Sequence, residues 1–197
     1  MPADFTEIIV ERRSRRSIER APLREVVNCL SFATSPSFKW SVGGQLRTHR
    51  PMHSAGGLHP VEIALVTGNR RHRIFRLNAN EAVLELLYSD QPETLSKLDA
   101  KISEVFPHAE CDYLVMVADS TALDAFYTNA ESLLWRDAGA LMATLHLCAT
   151  AYRLAFCPAG ILGRELIQAL FGVDTRVRAL GAAAIGRLKA GRSGVPQ

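Results

Sequence analysis

From about Asn129 to Leu154 the apolar positions Leu133, Leu134, Ala138, Leu141, Met142, Leu145, Cys148, Ala149 and Tyr152 spread over more than one face of a helix. A helix that is apolar around most of its circumference must be covered around most of it. This segment is therefore expected to run through the middle of the molecule. Just before it, Asp112 to Ala118 carries the nearly unbroken apolar run Tyr-Leu-Val-Met-Val-Ala, the length of a central strand buried on both faces. Any fold for this chain has to accommodate both a long central helix and a central strand.

The other elements follow from caps and periods. Asp4-Phe5-Thr6-Glu7 has the spacing of a capping box and predicts a short helix from Thr6 to about Arg12, giving way to loop through Ser17. Pro22 suits the first residue of a second helix with Leu23, Val26, Val27, Leu30 and Ala33 on its apolar face. No period holds from Ser35 to Pro60, and a loop of that length inside a compact domain is usually functional. Val61 to Gly68 and His72 to Leu77 read as a hairpin turning at Gly68-Asn69. Glu81 to Tyr88 and Glu93 to Phe106 read as helices, Gly163 to Phe171 as a helix stopped by Gly172, and Ala179 to Ile185 as a last strand. Strands and helices mix without a regular alternating unit, which predicts an α+β fold with a mostly antiparallel sheet.

A chain of 197 residues, 48% of them apolar, is long enough for one well-buried domain spanning residues 1–197. No apolar run approaches the ~18 to 20 residues that cross a bilayer, and Met1 to Asp4 leads into a charged segment without an apolar signal core. The expectation is a soluble, cytoplasmic protein. Cys29, Cys111, Cys148 and Cys157 lie far apart with no Cys-x-x-Cys pair, so they are expected to be reduced and mostly buried.

Three stretches could carry chemistry. In His53-Ser54-Ala55-Gly56-Gly57-Leu58-His59-Pro60 a run of small residues lets the backbone pass close to a flat ligand or a second backbone; a Gly-rich turn before a strand is the plainer alternative. Five arginines fall within Arg12 to Arg20, where the first helix ends. Two or three guanidinium groups there, with the Ser14 hydroxyl, would bind a phosphate, and Lys189 and Arg192 could join them. Taken alone, the cluster also suits a solvated basic surface. Cys157-Pro158-Ala159-Gly160-Ile161, read as a loop between two helices, offers backbone N–H groups to a ligand that accepts hydrogen bonds in a fixed plane, unless it is an ordinary connection.

Other classes are excluded. His49 and His53 lack a third ligand at a metal-binding spacing, so no metal site is expected. No Gly-x-Ser-x-Gly, Walker loop or Gly-x-Gly-x-x-Gly occurs. The arginine cluster lacks the interleaved aromatics of a nucleic-acid surface.

In this order the stretches resemble the FMN-dependent nitroreductase family, in particular its SagB-like dehydrogenase branch. Arg12-Arg13-Ser14-Arg15-Arg16 is similar to that branch's opening Arg-Arg-Ser-x-Arg, and His53 to Pro60 to its Pro-Ser-Ala-Gly-Gly-Leu-Tyr-Pro. Asp137-Ala138-Gly139 matches a helix beginning Asp-Ala-Gly, and Ile185-Gly186 a closing strand ending in Ile-Gly or Val-Gly. The resemblance implies a homodimer with FMN at two sites across its interface. Arg12, Arg13, Ser14 and Arg16 would then hold the phosphate and the pyrimidine edge of the flavin. Ser54, Ala55, Gly56 and Gly57 would be lent by the second subunit to the ring system. Gly160, with Ala159, would give the backbone donor to flavin N5, and Lys189 a further phosphate contact.

The implied activity is hydride transfer from NAD(P)H through the flavin to a small electron-poor acceptor such as a nitroaromatic, quinone or enone. The alternative is a non-catalytic or flavin-binding partner subunit. The sequence departs from the pattern at His53 for proline, His59 for tyrosine, and Phe126-Tyr127 for the Lys-Tyr pair of azoline-oxidising members, which removes a base. No acid or base stands out beyond His53, His59 and Tyr127. If the glycine run exists to face a ring, Gly57→Leu should cost flavin occupancy more than folding.

Overall fold

The computed structural model describes residues 4–68, 73–89, 91–107, 109–173 and 176–189. In chain order the elements are α1 (Phe5–Glu11), β1 (Ile18–Glu19), α2 (Leu23–Thr34), β2 (Phe38–Val42), β3 (Gln45–His49), a 3-10 turn at Ala55–Gly57 and β4 (Val61–Val66). They continue with β5 (Ile74–Asn78), β6 (Val83–Leu87), α3 (Pro92–Val105), β7 (Asp112–Asp119), α4 (Thr121–Asp124), α5 (Ala130–Ala151), β8 (Ala155–Ala159), α6 (Arg164–Phe171) and β9 (Val177–Leu188). The fold is α+β. Its main sheet is antiparallel with strand order β1-β9-β7-β4-β5-β6, and β8 lies against β9.

The apolar run on β7 is unbroken because both of its faces are covered. Leu114, Met116 and Ala118 pack into one core with Val26, Leu30, Leu134, Leu141 and Leu145 of α2 and α5. Tyr113 and Val115 pack into a second core with Leu98, Ile102, Leu166 and Ile167 of α3 and α6. The period-2 alternation of a strand sends successive residues to the two cores, so the sheet is the middle of three layers. Gly186 closes the sheet for a steric reason: a Cβ there would run into the Glu19 carbonyl of β1.

The expected ends of α1 hold. Asp4 caps it, its carboxylate accepting from the Thr6 N–H at 2.7 Å. α1 has no buried residue and leaves Phe5, Ile9 and Val10 exposed. Pro22 is the N-cap of α2 rather than its first residue. The turn expected at Gly68-Asn69 lies partly outside the described residues, but the strands on either side pair as predicted.

Three expectations are corrected. The stretch from Ser35 to Pro60 is not one long loop, because β2 and β3 form a hairpin turning on Gly43 and Gly44, at φ 57° and 79°. Two adjacent residues with positive φ match the twist of the flanking strands, and Gly-Gly supplies them. Glu81 to Tyr88 is not a helix. Val83 to Leu87 pairs with β5 in register, and Arg76 reaches across to Glu85 at 3.0 Å. Cross-strand pairing outweighs the helix propensity of Leu and Glu there. Finally, Cys157 to Ala159 belongs to a strand, β8, whose edge pairing to β9 an isolated reading of Cys-Pro-Ala could not reveal.

All four cysteines are free and buried. No helix among the described residues is long and apolar enough to cross a membrane.

Candidate functional site

The arginine segment lies beside β8. The Arg15 N–H donates to the Phe156 carbonyl at 3.0 Å, the Lys189 N–H donates to the Ser17 carbonyl at 3.1 Å, and β1 continues along the end of β9. Ser14 and Arg16 lie beside the Cys157 thiol. Burial pushes this thiol up, while the Arg16 charge and the Ser14 hydroxyl work against the shift. Arg13 and Arg15 line a cavity of about 610 Å³ with Glu7, His146, Thr150 and Arg153, a lining that does not include Ser14 or Arg16. Among the described residues no carboxylate pairs with Arg12, Arg13, Arg15 or Arg16.

Behind the segment stands His146 of α5, buried and packed on Phe156 with ring centroids 5.1 Å apart. Its ring bonds the Arg13 backbone, and its Nε2 has no partner. Burial pulls its pKa below the ordinary value, the Arg13 bond opposes this, and the Arg12 charge adds to it. At the far end of β8 a Cβ on Gly160 would meet nothing within 4 Å, so the backbone there faces open space. Ser14 and Arg16 thus lie beside β8, which leads to the bare Ala159-Gly160 backbone, with the Lys189 N–H closing on Ser17 and the Arg12 charge reaching His146.

Ser54 to Gly57 lies elsewhere on the molecule. The Ser54 hydroxyl donates to Asp137 Oδ2 at 2.5 Å and accepts the His59 N–H at 2.8 Å. Asp137 sits on α5 nine residues before His146, roughly 13 Å along the axis. The glycines answer their own chain. Gly56 has φ 58°, and a Cβ there would lie 2.5 Å from Arg47 Nη1 and 2.7 Å from the Tyr127 hydroxyl. Gly57 has φ 70°, and a Cβ there would lie 2.9 Å from Trp40. Their positive φ favours glycine without any ligand. Gly57→Leu is therefore expected to strain the backbone of the fold as well as to affect occupancy.

Comparison with known proteins decides the family. The profile of the Nitroreductase family matches residues 9–187. The chain belongs to the nitroreductase family. No curated protein matches it. Among solved structures it is similar to a candidate nitroreductase from Ralstonia eutropha JMP134, with a TM-score of 0.70 and 17% identity over 97% of this chain and 86% of that one. A candidate nitroreductase from Anabaena variabilis ATCC 29413 follows at TM-score 0.65 and 16% identity, over 82% of this chain and 34% of that one. A chain of the E. coli microcin synthetase McbBCD complex, bound to truncated pro-MccB17, matches at TM-score 0.65 and 17% identity, over 87% of this chain and 65% of that one. This chain therefore spans about a third of the second and under two thirds of the third. At these identities the likenesses establish the fold.

Membership of the nitroreductase family suggests flavin-dependent oxidoreduction. Several polar residues at the two patches had no assigned part in the sequence reading: Asp137 as the anchor of the loop, His146, and Arg47. A carboxylate inside an apolar helix was a legible signal for Asp137. Arg47 had none, because it lies in the stretch without a period. Among the described residues no group of three or more His, Cys, Asp or Glu is placed to hold a metal ion.

His59 is 8% exposed, and its Nε2–H donates to the Thr48 carbonyl at 2.9 Å. Burial, reinforced by Arg50, pulls its pKa from 6.5 to about 4. The unfolded chain therefore takes up a proton that the folded chain refuses. The stability this gives is full above pH 6.5 and is lost as pH falls toward 4, by about 3 kcal/mol. Urea unfolding across that window should show a flatter pH dependence in His59→Gln. An unchanged slope would mean that the imidazole accepts its proton in the fold.

Proposed function

We propose that the protein is an FMN-dependent oxidoreductase acting as a homodimer, with each flavin held between two copies of the chain and NAD(P)H as the electron donor. The observation that carries this reading is the convergence of Ser14 and Arg16 on Cys157, with the open backbone of Gly160 three residues further on. Three residues of extended chain span about 10 Å, room for a ribityl arm between a phosphate at one end and a ring at the other. Cations without carboxylate partners, a hydroxyl donor and bare backbone N–H groups fit FMN. A terminal phosphate suits the cluster, and the chain lacks a dinucleotide fingerprint.

Arg12, Arg16 and Ser14, with Lys189, would bind the phosphate through charge-assisted hydrogen bonds. The backbone at Ala159-Gly160 would donate to the ring edge and fix its plane. Ser54 to Gly57, anchored by Asp137, would be lent to the partner's ring, which fits its separation from the arginine patch on the same chain. The exposed Phe5, Ile9 and Val10 of α1 and Trp135 of α5 support a second copy as the cover. When bound, the flavin would supply the redox step, moving hydride through N5 to an electron-poor acceptor such as a nitroaromatic, quinone or enone.

Proton abstraction is not supported at Phe126. Its ring lies 4.6 Å from the Arg47 guanidinium, and neither group can take a proton near neutral pH. FMN-loaded protein given NADH or NADPH should reduce nitroaromatics or quinones and leave an azoline peptide unchanged in mass. Loss of two hydrogens from that peptide would place a base where we find none. Phe126→Lys is a poor control, because it would set an ammonium against Arg47.

A further inference from the structure

Arg47 is 7% exposed, and among the described residues no carboxylate pairs with it. The alternation of β3 sends Leu46 and Thr48 into a separate cavity and turns Arg47 toward the Ser54 to Gly57 loop. There Nη1 donates to the Gly56 carbonyl at 2.8 Å, and the guanidinium carbon lies 4.6 Å from the centre of the Phe126 ring. Nε is buried without an acceptor. One neutral hydrogen bond and one ring face offset only part of the cost of taking a guanidinium out of water. A positive charge kept this way projects its field onto whatever lies against the loop.

The surroundings indicate the shape of what would lie there. Phe126, 45% exposed, lies against the guanidinium, and Trp40, 36% exposed, is the cross-strand partner of Arg47 and borders Gly57, so flat apolar surfaces stand beside the charge. The cations proposed for the flavin phosphate belong to the other patch. We propose that Arg47 selects acceptors that carry a carboxylate on a flat conjugated frame, the carboxylate serving as the counter-charge that the fold does not provide. This rests on the flavin-dependent reading above and names the substrate class of that site.

The test uses the FMN-loaded full chain with saturating NADH and two matched acceptors, 4-nitrobenzoate and 4-nitrobenzamide. Wild type should favour the carboxylate by about tenfold or more in kcat/KM, R47Q should bring that ratio near one, and R47K should keep most of it. Because the ratio is read within each variant, a general loss of activity does not obscure it. The wild-type ratio and R47K still decide the matter if R47Q does not fold. A wild-type ratio near one, or a ratio retained in R47Q, overturns the proposal. So does a rise in the FMN dissociation constant of R47Q with the ratio intact, since the charge would then serve the cofactor. Reduction of the amide without preference sinks this inference alone, whereas failure to reduce either acceptor sinks the oxidoreductase reading with it.

Discussion

Changing Arg12 and Arg16 together to alanine is expected to weaken FMN binding by a factor on the order of 10² to 10⁴. Each lost charge-assisted bond contributes about 1.5 to 3 kcal/mol, with the lower figure applying where solvent screens the pair. The fold should survive, because both side chains are exposed and the segment is held by backbone bonds, Arg15 to Phe156 and Lys189 to Ser17. Fluorescence titration of the apoprotein with FMN reads the change directly. Unaltered affinity in the double variant would remove the phosphate from this patch. Arg13→Ala makes a useful contrast, since Arg13 lines a cavity that does not include Ser14 or Arg16 and should matter less.

The second large effect is expected at Asp137. It is 5% exposed and accepts from the Ser54 hydroxyl, so Asp137→Ala leaves that donor without its partner beside a new cavity. The stranded donor alone should cost about 1 to 3 kcal/mol of stability. Asp137→Asn keeps an acceptor oxygen and should retain most of the stability.

The two Asp137 variants also separate charge from bonding. Burial raises the pKa of Asp137, with the bonds from Ser54 and Ala55 opposing the shift. A raised carboxylate pKa means that its contribution is fully present below the unfolded value and is lost as pH rises through the folded one. Asp137→Asn should remove that part of the pH dependence. Denaturant curves that coincide for wild type and Asp137→Ala would show that the loop is not held by this carboxylate.

The central elements were legible because their signals were strong and local. The run on β7 needed cover on both faces, the apolar spread on α5 needed a surround, and Asp4 announced the start of α1. The misreadings share a cause: pairing to another strand, which no single segment displays, decided them. Val83 to Leu87 has helix-compatible residues and becomes a strand because β5 lies beside it. Cys157 to Ala159 looked like a connection and is a strand because β9 offers its edge. Gly43-Gly44 was a readable turn signal hidden inside a stretch without a period.

The site was legible as pieces but not as contacts. Ser14 and Arg16 lie beside Cys157 on the strand that leads to Gly160, the Arg12 charge reaches His146, and Ser54 to Gly57 lies on a different part of the same chain. Small residues at Gly56 and Gly57 have a second ground besides a ring, because their backbone is held at positive φ against Arg47, Tyr127 and Trp40. Arg47 could not be singled out from sequence, since its importance lies in a missing counter-charge.

The central claim is a flavin held between two copies of this chain. It is tested most directly by chromatography of the FMN-reconstituted protein with light scattering and visible absorbance recorded on the same peak. The account predicts one species with the mass of two chains, carrying two flavins and bleached by NADH or NADPH. A single chain that retains flavin, or a dimer that takes up none, would contradict it.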